Sequence, residues 1–307
     1  MILVIGASGY WGPNHVRVAR SLGQDVLRCD IRGEADYRDY KNKALLDIVD
    51  KVIIATPPNT HYTIAKYWLE KGVPVLIEKP LTTSGTEAYK LNKIAKAKDV
   101  PLLCGLTYLY SPVLKKIKDI LSSGIIGQVE YIDVSWKNLG KFQLGGVVMD
   151  LAAHPLSIIL SILNLEMPIL TTCHRFSHRV RGINDIATIV LNFQHQQSTL
   201  QLSWLDPQKT RKITIVGSNA MLVWDDIQSI DKLSVYDKAV TGPDHHDSYG
   251  TFQMAYKYGD TTIVKIDPVK ERIEIAVPTI GPFTTIRVGC KCAQKYKKYL
   301  KVGDMVT

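Results

Sequence analysis

Gly6-Ala7-Ser8-Gly9-Tyr10-Trp11-Gly12 follows the apolar run Ile2-Leu3-Val4-Ile5 and precedes a stretch in which Val16, Ala19 and Leu22 share one helical face. An apolar run without alternation is a strand buried on both faces, and such a strand feeding a helix through a glycine-rich turn opens a doubly wound parallel sheet. Glycines at that turn let the amides at a helix start come close to a pyrophosphate, with Ser8, Tyr10 and Trp11 carried in the same loop. Asp30, eighteen residues beyond Gly12, stands where an acid accepts a hydrogen bond from an adenosine ribose 2′-hydroxyl. Strand, turn, helix and spaced acid together point to a dinucleotide site made by Gly6, Ser8, Gly9, Tyr10, Trp11, Gly12 and Asp30. The spacing G-x-x-G-x-x-G departs by one residue from G-x-G-x-x-G at the first glycine. Arg32, two residues past the acid, suits a 2′-phosphate, so NAD is preferred and NADP stays open.

Outward from this turn the same pattern repeats. Apolar runs at 52–55, 75–77 and 102–104 are each followed by helical spacing, with one stripe at Ile64, Tyr67, Trp68 and Lys71 and another at Ala88, Leu91, Ala95 and Lys98. Ser84-Gly85-Thr86-Glu87 predicts a capping box, and Ser111-Pro112 predicts a capped helix start with proline in its first turn. After residue 121 the pattern becomes alternation, clearest in Ile189, Leu191, Phe193 and in Leu200, Leu202, Trp204, which predicts half-buried antiparallel strands and a hairpin over 186–205. Further strands are expected at 129–136, 213–216 and 221–224, and one long helix at 148–163, which Pro155 either kinks or makes start later. The expected organisation is a Rossmann domain over 1–121 and an α+β domain over 122–307.

Composition narrows the partners. The chain has 307 residues, 46% hydrophobic and 22% charged, which is globular, and Lys plus Arg exceed Asp plus Glu by 38 to 29. The basic residues are scattered, without a basic arm, zinc-finger spacing or RNA-binding motif, so nucleic acid is not expected. The densest basic stretch, five lysines over 291–301, reads as a solvated helix face. Residues 1–121 carry 18 basic and 12 acidic side chains, so most of the excess lies in that half and suits a dinucleotide pyrophosphate or a phosphorylated sugar better than nucleic acid. No signal-peptide pattern or membrane span is expected. Five cysteines without a C-x-x-C pair fit a reduced, cytoplasmic setting. His245-His246-Asp247 has no further ligand at a metal-site spacing and reads as a turn, Cys290-x-Cys292 as incidental, and no metal is expected. His15 reads as helix surface or packing, and Lys137 and Asn138 either reach a substrate or are surface polarity.

Ala55-Thr56-Pro57-Pro58-Asn59-Thr60-His61 and Glu78-Lys79-Pro80 fall at the carboxyl ends of the third and fourth expected strands, where such sheets bind ligands. With Gly124-Ile125-Ile126-Gly127, Asp150 to His154, and Ser203-Trp204-Leu205-Asp206-Pro207-Gln208-Lys209, the chain resembles the glucose-fructose oxidoreductase, inositol dehydrogenase and MocA family of nicotinamide-dependent sugar and polyol dehydrogenases. The resemblance runs from residue 1 to about 240. It implies a Rossmann domain followed by an open, mostly antiparallel sheet, and cofactor contacts from Thr56, Pro57, Pro58, Asn59, His61, Glu78 and Lys79. It also implies that Lys79 points at the substrate hydroxyl and that Asp150 and His154 form the other chemical pair.

A spacing of four puts Asp150 and His154 on one helical face, where the acid would orient a proton-transfer histidine. His154 would then take the hydroxyl proton while Lys79 stabilises the alkoxide, or the two roles are exchanged. The expected reaction is hydride transfer between NAD(P) and a secondary hydroxyl or keto group of a sugar, preferably a sugar nucleotide. Alternatives are a free sugar or inositol dehydrogenase, a non-catalytic NAD(P)-sensing regulator, and a biliverdin-reductase-like enzyme. Many members place an aspartate where Ser157 stands and an arginine where Leu109 stands. Beyond Tyr258 the chain no longer follows the family's ending, and the stretch from Pro278 to Thr307 has no acid until Asp304. An uncovered sheet face predicts a homodimer or homotetramer.

Overall fold

The computed structural model describes residues 1–243 and 254–266, which fall into two compact units that divide after Leu106. His245, His246, Asp247, Cys290, Cys292, the lysines of 291–301 and the ending from Pro278 lie outside the described residues.

The first unit alternates strand and helix: β1 (Ile2–Ile5), α1 (Gly12–Ser21), β2 (Val26–Cys29), β3 (Lys51–Ile54), α2 (Pro58–Glu70), β4 (Val75–Ile77), α3 (Gly85–Ala97) and β5 (Leu102–Cys104). The strands form a parallel sheet in the order β2-β1-β3-β4-β5. Alternate residues of the inner strands feed opposite faces. Leu3, Ile5, Val52, Ile54, Val75 and Ile77 pack with Trp68 and Leu69 of α2 and Leu91 of α3, while Ile2, Val4 and Ile53 pack with Val16 and Ala19 of α1. The chain order reverses between β1 and β3, which opens a crevice at their carboxyl ends where ligands of such sheets bind.

The second unit contains α4 (Pro112–Ser122), β6 (Val129–Leu139), α5 (Gly146–Leu151), α6 (Ala153–Ile162), β7 (Leu170–Phe176), β8 (Ile186–Asn192), β9 (Gln197–Ser203), β10 (Leu205–Gly217), β11 (Met221–Asp225), β12 (Leu233–Pro243) and β13 (Met254–Val264). They build an eight-stranded sheet in the order β13-β12-β11-β10-β6-β9-β8-β7, antiparallel except for β6 with β9. The α/β fold with a parallel Rossmann sheet and a large, mostly antiparallel second sheet is therefore as expected. Ala187, Ile189 and Leu191 of β8 are buried and the residues between them are not, so the sheet has one dry face, against which α5 and α6 pack. Among the described residues no helix is long and apolar enough to cross a membrane, and no cluster of three or more His, Cys, Asp or Glu could hold a metal ion.

Two local expectations need correction. The single helix over 148–163 is two, α5 and α6, meeting at Ala152. Pro155 has no N–H to give the Leu151 carbonyl, and helical bonding resumes only with the Leu156 amide on the Ala152 carbonyl at 3.0 Å. The capping box at α3 does not form, because the Ser84 side chain makes no cap bond. The Thr82 hydroxyl instead donates to the Ser84 carbonyl at 2.7 Å. Ser111 does cap α4, accepting from the Val113 amide at 3.2 Å with Pro112 in the first turn.

Candidate functional site

Each unit carries its own set of functional residues. In the first, the glycine turn is tight: the Gly6 amide donates to Cys29 O and the Gly9 amide to Gly6 O. Gly6 has φ +82° and lies so close to β3 that a Cβ would sit 2.6 Å from the Ala55 carbonyl, while a Cβ on Gly12 would sit 2.0 Å from Gly6 O. The first and third glycines of the unusual spacing therefore seat the turn against the sheet and α1 against the turn. Asp30 follows β2 directly, and its carboxylate accepts from the Ser8 amide at 2.8 Å and the Arg32 amide at 2.9 Å. The acid is thus fixed beside the turn. Ser8 Oγ donates to Glu34 O, which ties the loop after β2 to the same turn. This arrangement fits a dinucleotide. Gly12 and Pro13 open α1 with its positive end at the turn, and Asp30 is held at the adjacent strand end.

The next two strands end in the other motif residues. Pro57 precedes α2 and Pro58 occupies its first turn. Asn59 and His61 ride on that turn, and the Thr60 hydroxyl lies 2.7 Å from Thr56 Oγ1. His61 is buried, with Nδ1 2.9 Å from Pro80 O and Nε2 2.8 Å from Thr56 O. After β4, the Lys79 amide donates to Glu78 Oε2 at 3.2 Å, and the Lys79–Pro80 bond is cis. Of the two readings of His15, surface or packing, the second holds: it is buried on α1, with Nε2 2.8 Å from Glu78 Oε1. Its position three residues after Gly12 was the only signal available, and its partner lies 63 residues away. Beside Glu78, burial pushes the Cys104 thiol up to about 12.

In the second unit, Asp150 lies in α5 and His154 in α6, on either side of Ala152, whose backbone is helical. The Trp204 indole donates to Asp150 Oδ2 at 3.0 Å. The His154 carbonyl accepts from Ser157 Oγ at 2.7 Å, so the serine that replaces the family's aspartate turns back onto its own helix. The His154 ring packs 5.2 Å from the Tyr108 ring, which also meets Trp136 at 5.0 Å and Trp224 at 5.9 Å. Tyr108 donates to Asp226 Oδ2 at 2.9 Å, and burial, with Asp226 beside it, holds the phenol above its ordinary value. Leu109 follows Tyr108 in the same short turn.

Asn138 Oδ1 accepts from Arg211 at 2.5 Å, and Lys137 Nζ donates to Gln201 at 2.9 Å. The Arg211 guanidinium is buried, lies 4.8 Å from the Trp136 ring centroid and has its value lowered by desolvation. Tyr108, Trp136, Arg211 and Asp226 were not identified from the sequence as a group, because they meet only through strand pairing and the short turn before α4.

The family models that match describe an oxidoreductase family with an NAD-binding Rossmann fold, over residues 22–106, and a GFO/IDH/MocA C-terminal domain, over 114–223. Together they cover well over half of the chain, which belongs to the Gfo/Idh/MocA family, a class of proteins with an NAD-binding Rossmann domain. Among curated relatives, the rhizopine catabolism protein MocA of Rhizobium meliloti is 31% identical over 112 residues, 34% of this chain and 35% of that protein. The matched part of the chain spans from 24% to 58% of the length of the first three curated relatives. Two solved structures share the fold. GenD2 from gentamicin A biosynthesis, in complex with NAD, has a TM-score of 0.70 at 21% identity and covers 84% of this chain and 80% of its own. UDP-N-acetylglucosamine 3-dehydrogenase GnnA of Acidithiobacillus ferrooxidans has a TM-score of 0.67 at 22% identity and covers 86% and 84%.

Proposed function

We propose that the chain is an NAD-dependent dehydrogenase that transfers hydride between nicotinamide and a secondary hydroxyl or keto group of a sugar, with a sugar nucleotide as the substrate class. The observation that carries the reading is the Lys79 turn at the end of β4, in the same sheet whose β1–α1 turn and fixed Asp30 fit a dinucleotide. Gly6, Ser8, Gly9, Tyr10, Trp11 and Gly12 would hold the pyrophosphate side, and Asp30 with Arg32 the ribose side. Residues 56–59 and 78–79, with His61 acting through its loop, would hold the nicotinamide side. Bound NAD supplies the hydride acceptor.

The chain's own residues manage the proton and the charge. His154 takes the carbinol proton, Lys79 stabilises the developing alkoxide with its ammonium, and Asp150, anchored by Trp204, sets the imidazole's surroundings. One support favours a sugar nucleotide: the fold shared with GnnA. The uncovered sheet face, with Tyr131 exposed, supports a homodimer or homotetramer, and sedimentation as a pure monomer would contradict that.

The test is a panel of UDP-N-acetylglucosamine, other sugar nucleotides, free sugars and myo-inositol, scored by absorbance of the reduced cofactor. Turnover on sugar nucleotides is expected. Turnover confined to free sugars or inositol would move the substrate to the polyol class, and NAD binding without turnover on any alcohol would favour a regulator.

A further inference from the structure

We propose that His15 and His61 are positioning residues that fix the backbone on either side of Lys79, His15 through Glu78 and His61 through Pro80. The inference rests on the reading of Lys79 as the group that meets the substrate. The turn is held from two helices. From α1, His15 Nε2 reaches Glu78 Oε1 at 2.8 Å, and the other carboxylate oxygen takes the Lys79 amide at 3.2 Å, so one carboxylate links α1 to the residue before Pro80. Glu78 cannot swing away easily. Its own amide is bonded to Ile54 O, and Gly105 lies against it so closely that a Cβ there would come 3.1 Å from Oε2.

From α2, His61 uses both ring nitrogens on carbonyls, Pro80 O at 2.9 Å and Thr56 O at 2.8 Å, which ties the loop after β3 to the turn after β4. A ring with both protons donates to both oxygens, and a ring with one donates to one. His61 is 1% exposed and His15 9%, so each acts through its hydrogen-bonded neighbour. Buried polar rings that span three separate elements are costly unless every bond is made, which is why such a network fixes one geometry. An ammonium displaced by about 1 Å from its working position loses on the order of 100-fold in rate.

The experiment uses the whole protein with lysines carrying ¹³C-methyl groups from reductive methylation. The Lys79 resonance is assigned by its absence in Lys79→Arg. With NAD bound, His15→Leu and His61→Gln are expected to move that resonance while the other lysine signals stay in place. In His15→Leu, NADH affinity, followed by its fluorescence, should remain within about threefold, and in both variants kcat on the substrate found by the panel should fall about 100-fold. His15→Gln, which keeps a donor facing Glu78, should restore both the resonance and most of kcat. If His15→Leu does not fold, Glu78→Gln, similar in volume but without the charge, is read by the Lys79 resonance alone. A Lys79 resonance unmoved in these variants overturns the inference. A Lys79→Ala protein with intact turnover overturns the functional reading instead, and the resonance still reports on the positioning.

Discussion

β1 is buried at all four positions, whereas β8 is buried at every second one. A parallel strand covered by helices on both faces has no side chain to spare for a ligand, so the first unit builds its candidate site from strand ends, amides and a turn whose first and third glycines admit no Cβ. The half-covered antiparallel sheet places its candidate groups on side chains: Trp136 and Arg211 on paired strands, Trp204 on Asp150, and Tyr108 between His154 and Asp226. Backbone-built sites are strict about glycine and loop length. Side-chain-built sites tolerate change in sequence spacing and depend on register.

The largest effect expected falls on the first unit's one chemical side chain. Lys79→Ala should lower kcat roughly 1,000-fold, the order seen when a charge-stabilising donor is removed. Single-turnover kinetics with the panel substrate would check it, and an unchanged rate would move the chemistry wholly to the second unit. Gly6→Ala comes next. At φ +82° and 2.6 Å from the Ala55 carbonyl, the new methyl should cost about 3 kcal/mol and abolish NAD binding, read from the denaturation midpoint and NADH fluorescence. A neutral result would show that the first unit is not strict about its glycines.

In the second unit, Asp185 is fully buried, and its carboxylate accepts from the His178 ring at 2.9 Å and from the His178 and Arg179 amides at 2.8 and 2.9 Å. Burial alone would raise this acid, but those bonds outweigh it and hold it below the ordinary value. Because the folded value is depressed, the stability it contributes is present above the unfolded value near about 3.9 and is lost as pH falls through the folded one. Asp185→Asn should cost about 2 kcal/mol at neutral pH and flatten that acid limb of the stability curve, measured by urea unfolding against pH. The smallest test sets the units side by side. At mildly alkaline pH a thiol reagent should label exposed Cys173 quickly and leave Cys29, pushed up to about 11, and Cys104, at about 12, unlabelled until the protein unfolds, as peptide mass spectrometry would show.

Much of the first unit was legible because its signals are local. The unalternated runs, the glycine turn, Asp30 at its spacing and the prolines at 57, 58 and 80 each constrain the backbone within a few residues. For His15 the sequence left surface and packing open because its partner is not local: the imidazole on α1 meets the Glu78 carboxylate, just past β4, only after β3 inserts between β1 and β4. The 148–163 segment was legible only in part. Its apolar content reads as one helix, and a single missing amide at Pro155 divides it.

By itself the sequence determined the succession of strands and helices, the buried or half-buried character of each sheet, and the family with its NAD-binding Rossmann domain. Each of these follows from periodicity or from residues close together in the chain. The tertiary structure alone decided what the motif residues touch: Glu78 on His15, Pro80 on His61, Asp150 on Trp204, and Tyr108 between His154 and Asp226. Those contacts depend on strand order, register and helix docking, which are set by the packing of the whole core and leave no trace in the spacing of any single segment.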